Sequence, residues 1–256
     1  MARQGTRNAS FRTTHDDQSP ENRVLDEAFW LRFGDDPEPS MRSKILFVTM
    51  SDVSRVGPAA FNVGVVCTAL GISNSLINHH FGGRDELIAE AVVETYRRYV
   101  ENIWFAAMKE VTPEARLRAW IEASVARQVQ MRGLAAILNY PTASLDVTNI
   151  VHERSGQLMA DLGALNMARL IQLVSDVRRD AVSPDVLELG KVSADELVSD
   201  PHLTVLGASI GWSVLGMSVW NTGPHLPTAQ HPETAMLLEA TSRYHVDRLV
   251  REARGD

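Results

Sequence analysis

The residues best equipped for chemistry in this chain are short, polar and uncharged, and they crowd into one window: Ser73, Asn74, Ser75, Asn78 and His79. Each carries hydrogen-bonding groups on a short tether, and no carboxylate stands among them. Such a surface suits the base edges of the DNA major groove, where a carboxylate would be repelled by phosphate. Bond-making chemistry has no comparable signal. The chain holds no G-x-S-x-G elbow, no P-loop, no dinucleotide glycine fingerprint and no H-E-x-x-H. Gly207-Ala208-Ser209-Ile210-Gly211 resembles the elbow only superficially, because it lies in a predicted helix with no preceding strand. His79 and His80 are adjacent, so on a helix they point about 100° apart and cannot easily share one ion. His225, His231 and His245 are spread over a proline-rich loop and a helix without ligand spacing. The expectation is no enzyme, no cofactor and no metal.

Two short helices must hold that polar window. Val63, Val66 and Leu70 give the first an apolar stripe at i, i+3 and i+7. Cys67 is small where a second helix must come close, and Gly71 supplies the left-handed conformation of a tight turn. Ile72 fills the space beneath the turn, while Ile77 and Phe81 continue the buried stripe on the second helix. The pattern is helix-turn-helix.

These residues resemble the TetR family of bacterial transcriptional repressors. Ile45, Leu46, Val53, Gly57, Val63, Val66, Leu70, Gly71, Ile72, Ser73, Ile77, His80, Phe81, Arg84 and Leu87 fit its N-terminal motif without a gap, over about residues 44–90. Asn78 stands where the family usually has Tyr, Leu76 where it has Thr, and Phe61-Asn62 where it has Thr-Thr or Thr-Ser. The resemblance implies a DNA-binding dimer that responds to a small molecule. It implies that Ser73, Asn74, Ser75 and Asn78 approach base edges, and that Asn62, His79, Arg84, Arg42 and Lys44 hold phosphates.

Charge is distributed to match. The chain has a net charge of −7, but residues 41–84 carry Arg42, Lys44, Arg55 and Arg84 against Asp52 alone. Residues 110–256 carry 13 basic and 18 acidic side chains. Positive charge therefore sits with the motif. Ahead of it, residues 1–15 hold Arg3, Arg7 and Arg12 and no acid, a basic arm. An acidic segment follows, with a short helix expected over 20–33 and a linker at Asp35-Asp36-Pro37-Glu38-Pro39. This extension, residues 1–40, is either a solvated tail with a docked helix or an arm that follows the DNA. A single cysteine, Cys67, excludes an intrachain disulfide and fits a reducing cytoplasm.

Everything after the motif reads helical. A long helix begins at Asp85-Glu86, another at Thr112-Pro113-Glu114, and an apolar segment over 133–140 ends at Pro141. Further helices are expected over 146–180, 203–221 and 232–253, with Ser193-Ala194-Asp195-Glu196 shaped like a capping box. The fold class is all-α: a three-helix DNA-binding domain over 41–88, then a larger helical ligand-binding and dimerisation domain over 89–256. Trp104, Phe105, Met108, Trp120, Met131, Leu138, Tyr140, Met159 and Met167 are either plain core or, on the resemblance, the lining of a pocket for a largely apolar or aromatic effector. Residues 203–222 carry no charge, but their glycines and hydroxyls and the lack of basic flanks favour a packed helix over a membrane span. Gly207, Gly211, Trp212, Leu215, Leu238 and Tyr244 are the expected dimer interface. The alternative function is a helical small-molecule or protein binding module whose helix-turn-helix no longer grips DNA.

Overall fold

A computed structural model describes residues 40–131, 133–139, 144–184, 187–192, 200–222 and 232–255, with backbone alone at 220–222 and 232–239. The described residues are all-α. The helices are α1 (Met41–Val56), α2 (Val63–Leu70), α3 (Asn74–Phe81), α4 (Arg84–Met108), α5 (Pro113–Met131), α6 (Gly133–Asn139), α7 (Leu145–Arg179), α8 (Pro201–Thr222) and α9 (Pro232–Arg254). The N-terminal arm, the helix expected over 20–33, the Ser193–Glu196 box and Tyr140 lie outside the described residues.

Local chemistry sets the helix ends. The Ser40 hydroxyl accepts from the Ser43 N–H at 3.1 Å and starts α1, which Gly57 closes at φ 79°. The α4 N-terminus carries Asp85 and Glu86, the sign its dipole favours. At the far end of α7, buried Asp176 accepts from the Ser183 N–H at 3.0 Å and from the Arg179 guanidinium at 2.7 Å, while Asp180 turns left-handed at φ 47°.

Helix α4 is the spine. It packs against α5 and α7 and also against α1, α3 and α6. Its buried residues change partners along its length: Leu87 and Ile88 near the start, then Val100, Ile103 and Ala107. Helix α8 fills the groove between α5 and α7 by burying Leu206, Ile210, Val214 and Ser218. It is long and apolar enough to cross a membrane by length and composition, yet here one of its faces is core. Helix α9 closes the bundle against α5 and α7 with Val246, Leu249, Val250 and Ala253.

Besides α4, α5 also packs against α1, and two further contacts tie the first three helices to the rest. Gly133, the first residue of α6, lies against the end of α1 so closely that a Cβ there would fall 2.2 Å from the Val53 carbonyl oxygen and 2.7 Å from the Gly57 Cα. Only glycine permits that approach. Arg154, low on α7, donates to the Phe81 carbonyl at 3.4 Å and lies 3.7 Å from the Glu86 carboxylate.

Candidate nucleic-acid interface

The Asn62 side chain caps α2 by accepting from the Gly64 N–H at 2.8 Å. After eight residues the helix stops at Leu70, and Gly71 follows, left-handed at φ 64° and ψ 35°; its N–H and that of Ile72 both return to the Cys67 carbonyl. This two-donor closure reverses the chain in three residues and starts α3 at Asn74. Of the expected α2 stripe, Val66 is fully buried while Val63, Cys67 and Leu70 are half-buried against the core.

On α3 the division between inside and outside is sharp. Ile77 is fully buried and Phe81 is 4% exposed, so they anchor the helix. Ser73, Asn74, Ser75, Asn78 and His79 are all exposed. Ser73 occupies the N-cap position without a side-chain cap bond. The five residues singled out for their chemistry therefore share an uncovered surface at the start and outer side of one helix. His80 is half-buried, its ring 6.2 Å from that of Phe81, as expected of a packed residue. Among the described residues no group of three potential metal ligands occurs.

The cations around α3 are already engaged. Arg42 pairs with Glu90 of α4 and lies 4.8 Å from the centre of the Phe81 ring. Arg55 pairs with Asp52. Arg84 donates through Nε to the Phe61 carbonyl at 3.3 Å and also to the Pro58 carbonyl, with Asp85 at 2.5 Å. Arg84 thus holds the loop before α2 onto the start of α4, a structural role that no sequence pattern signalled.

The eight described residues of the nine expected around a ligand sit in different surroundings. Trp120 and Met131 are core, 2% and 4% exposed. Met108 and Leu138 are half-buried against it, and Met159 is half-buried on α7. Met167 turns to α8, its sulfur 3.9 Å from where a Gly207 Cβ would stand. Phe105 is 52% exposed, with the Lys109 ammonium 4.5 Å above its ring. Trp104 packs beneath the Arg169 guanidinium. A cavity of about 360 Å³ lies elsewhere, between α5 and α9, lined by Glu114, Arg118, Tyr244, Asp247, Val250, Arg251 and Arg254.

The expected dimer residues divide in two. Gly207 and Gly211 face α7 of the same chain, where a Cβ on Gly207 would stand 3.1 Å from Ile171 and one on Gly211 3.8 Å from Leu170. Their small size serves packing within the chain. Trp212 is 80% exposed, Tyr244 61%, and Val205, which the sequence did not single out, 65%. Leu215 is half-buried, and the Leu238 side chain lies outside the described residues.

Comparison with known proteins adds an independent line. Over 66 residues the chain is 33% identical to the HTH-type transcriptional regulator BetI of Vibrio parahaemolyticus, covering 25% of this chain and 33% of that protein. Over 102 residues it is 31% identical to the HTH-type transcriptional regulator BetI 2 of Chromohalobacter salexigens, covering 39% of this chain and 48% of that protein. The match to BetI of Ectopseudomonas mendocina is 31% over 91 residues, 33% of this chain and 44% of the relative. The chain thus spans between a third and a half of the curated relatives it matches. No protein-family model matches it, and no solved structure does.

Proposed function

We propose that this chain is a helix-turn-helix transcriptional regulator of the TetR kind, binding a near-palindromic operator as a homodimer and released by a small-molecule effector. One observation carries the reading: Asn74, Ser75, Asn78 and His79 lie exposed and carboxylate-free on a helix anchored by Ile77 and Phe81. The similarity to HTH-type regulators supports it. In this account Ser73, Asn74, Ser75 and Asn78 approach base edges, while Asn62, His79, Arg42, Lys44 and Arg84 face phosphates and set register. Val205, Trp212 and Tyr244 supply an apolar surface suited to a second copy. The paired α3 helices then enter adjacent major grooves about 34–36 Å apart.

The effector acts by changing that separation. It binds among α4, α5 and α7, and α4 carries the displacement to α1 and α3. Because both sites bias one helix, the coupling is reciprocal: operator DNA weakens effector binding by the same factor. A gel-shift series with DNA upstream of the chain's own gene tests the proposal. Asn74→Ala is expected to alter base preference, and Arg42→Ala to weaken binding to every sequence alike.

A second reading has a specific observation in its favour. Arg42, Arg55 and Arg84 already hold carboxylates, as they would in a helical binding module that no longer grips DNA. Absence of any shift at low salt, with the fold intact by circular dichroism, would select it.

A further inference from the structure

Arg169 is the charged residue of α7 that the chain provides for least. It sits mid-helix beside Leu170, which is 1% exposed, and is itself half-buried. Its guanidinium lies 4.8 Å from the centre of the Trp104 ring. Among the described residues its hydrogen bonds are two long ones, to the Val100 carbonyl at 3.5 Å and the Leu187 carbonyl at 3.4 Å. The Nε is buried and has no acceptor among the described residues. A guanidinium has five donors, and its bonds to anions run at about 2.7–2.9 Å.

Among the described residues no carboxylate reaches Arg169 to form an ion pair. Glu101 acts on it only from a distance and is itself held by Arg97 at 3.0 Å. Arg98, more deeply buried at 6% exposed, shows the contrast: it binds Glu94 at 2.6 Å. Chains seldom bury an arginine without such a partner. Three residues before Arg169, on the same side of α7, the Asn166 amide also has a buried oxygen with no partner. The oxygen and nitrogen of an amide exchange by a simple flip, so Asn166 can equally present a donor.

Resting on the regulatory reading above, we propose that Arg169, seated on Trp104 with Asn166 beside it, anchors the effector, and that the effector is a carboxylate with an apolar or aromatic body. One guanidinium fork matches one carboxylate in charge and geometry. A phosphate dianion would keep a surplus charge in apolar surroundings, since the groups touching Arg169 are Trp104 and two backbone carbonyls. The bound carboxylate replaces the long Val100 and Leu187 contacts with short, charge-assisted ones, and its apolar body lies along the indole. This adds an anionic head group to the largely apolar or aromatic effector expected from the sequence.

The test uses the full chain, intrinsic tryptophan fluorescence and thermal denaturation. Probes are benzoate, phenylacetate and octanoate at constant ionic strength, each beside its amide, with inorganic phosphate as a further arm. At least one carboxylate is expected to quench fluorescence saturably and raise Tm, with its amide at least tenfold weaker. Arg169→Gln should weaken that binding at least tenfold, and Arg169→Lys should restore part of it. Should Arg169→Gln fail to fold, Trp104→Leu is expected to show the same loss. No saturable carboxylate, saturation that survives Arg169→Gln or Trp104→Leu, or tighter binding of phosphate overturns the site. A carboxylate that binds but never releases DNA leaves the site standing and contradicts the regulatory reading. DNA binding with no carboxylate response does the reverse.

Discussion

Arg42, Arg55 and Arg84 each hold a carboxylate in the free protein, so a phosphate must compete with Glu90, Asp52 or Asp85 for them. The Arg42–Glu90 and Arg84–Asp85 pairs are solvent-exposed and contribute about 0–1 kcal/mol each, which permits exchange but mutes the net gain, whereas Asp52 is buried and holds Arg55 more firmly. Affinity should therefore fall less steeply with salt than the cations in residues 41–84 suggest, against about 0.9 logarithmic units per phosphate neutralised. Titrating affinity from low to moderate salt measures that slope, and Arg42→Ala is expected to reduce it by about one unit. Arg84→Ala belongs to a different class. It removes hydrogen bonds to the Phe61 and Pro58 carbonyls, so it should cost about 1–2 kcal/mol of stability without any DNA present. Thermal denaturation of the variant decides this, and an unchanged Tm would return Arg84 to a purely phosphate-facing role. At this scale the sequence showed the exposed face of α3 well, because short polar residues alternate there with Ile77 and Phe81. It read Arg84 only as a phosphate contact and was silent on Arg154 and Arg169, because the partners of all three include backbone carbonyls distant in the chain.

Between elements, the joint of α1 with α6 is the tightest backbone approach at any glycine described. A Gly133→Ala methyl would meet the Val53 carbonyl at 2.2 Å, and backbone cannot swing aside as a side chain does. The substitution is expected to cost about 1–3 kcal/mol, seen in chemical denaturation, and to weaken DNA binding further by tilting α1. Helix α4 carries a different liability. Tyr96 and Tyr99 stack at 6.0 Å with ring planes 15° apart. Burial, aided by neighbouring Tyr99, pushes the Tyr96 phenol up to about 12, and burial also raises Tyr99 against the hydrogen bonds of Ser124 and Gln128. Both phenols hold their protons more tightly folded than unfolded. Their contribution is thus complete below the ordinary tyrosine value near 10 and is lost as pH rises toward 12. Phenolate absorbance and helicity should change together across that window; tyrosines that ionise while the helices persist would contradict it. The Glu94–Arg98 pair is fixed in the same region. Burial alone would raise the Glu94 carboxyl, but the Arg97 hydrogen bond and the charges of Arg98 and Arg97 hold it below the usual carboxylate range. Helix limits were largely legible from the chain: Thr112-Pro113 starts and Gly71 ends an element where expected. The use of Gly133 was not, since nothing near it in sequence foretells the end of α1.

For the whole molecule, the sequence conveyed an all-α fold because apolar spacing near 3.6 runs through every long segment. It conveyed α8 less well. The glycines of α8 read as a seam between two proteins, whereas Gly207 and Gly211 serve the approach of α7 within one chain, and the outward face belongs to Val205 and Trp212. Small residues mark a close approach without saying which partner makes it. Trp212→Glu is accordingly expected to convert a dimer to a monomer in sedimentation equilibrium while leaving helicity intact, and a dimer that persists would move the interface off α8. Loss of the dimer should cost operator affinity far more than any single α3 substitution, because it removes half the contacts at once. The most direct measurement of the central claim is selection of bound duplexes from a random DNA pool by the full chain, run in parallel with Asn74→Ala and Asn78→Ala. The account predicts a near-palindromic consensus with half-sites about one helical turn apart, relaxed at matching positions in both halves by the variants. A pool that stays random, or a consensus indifferent to both substitutions, would contradict it.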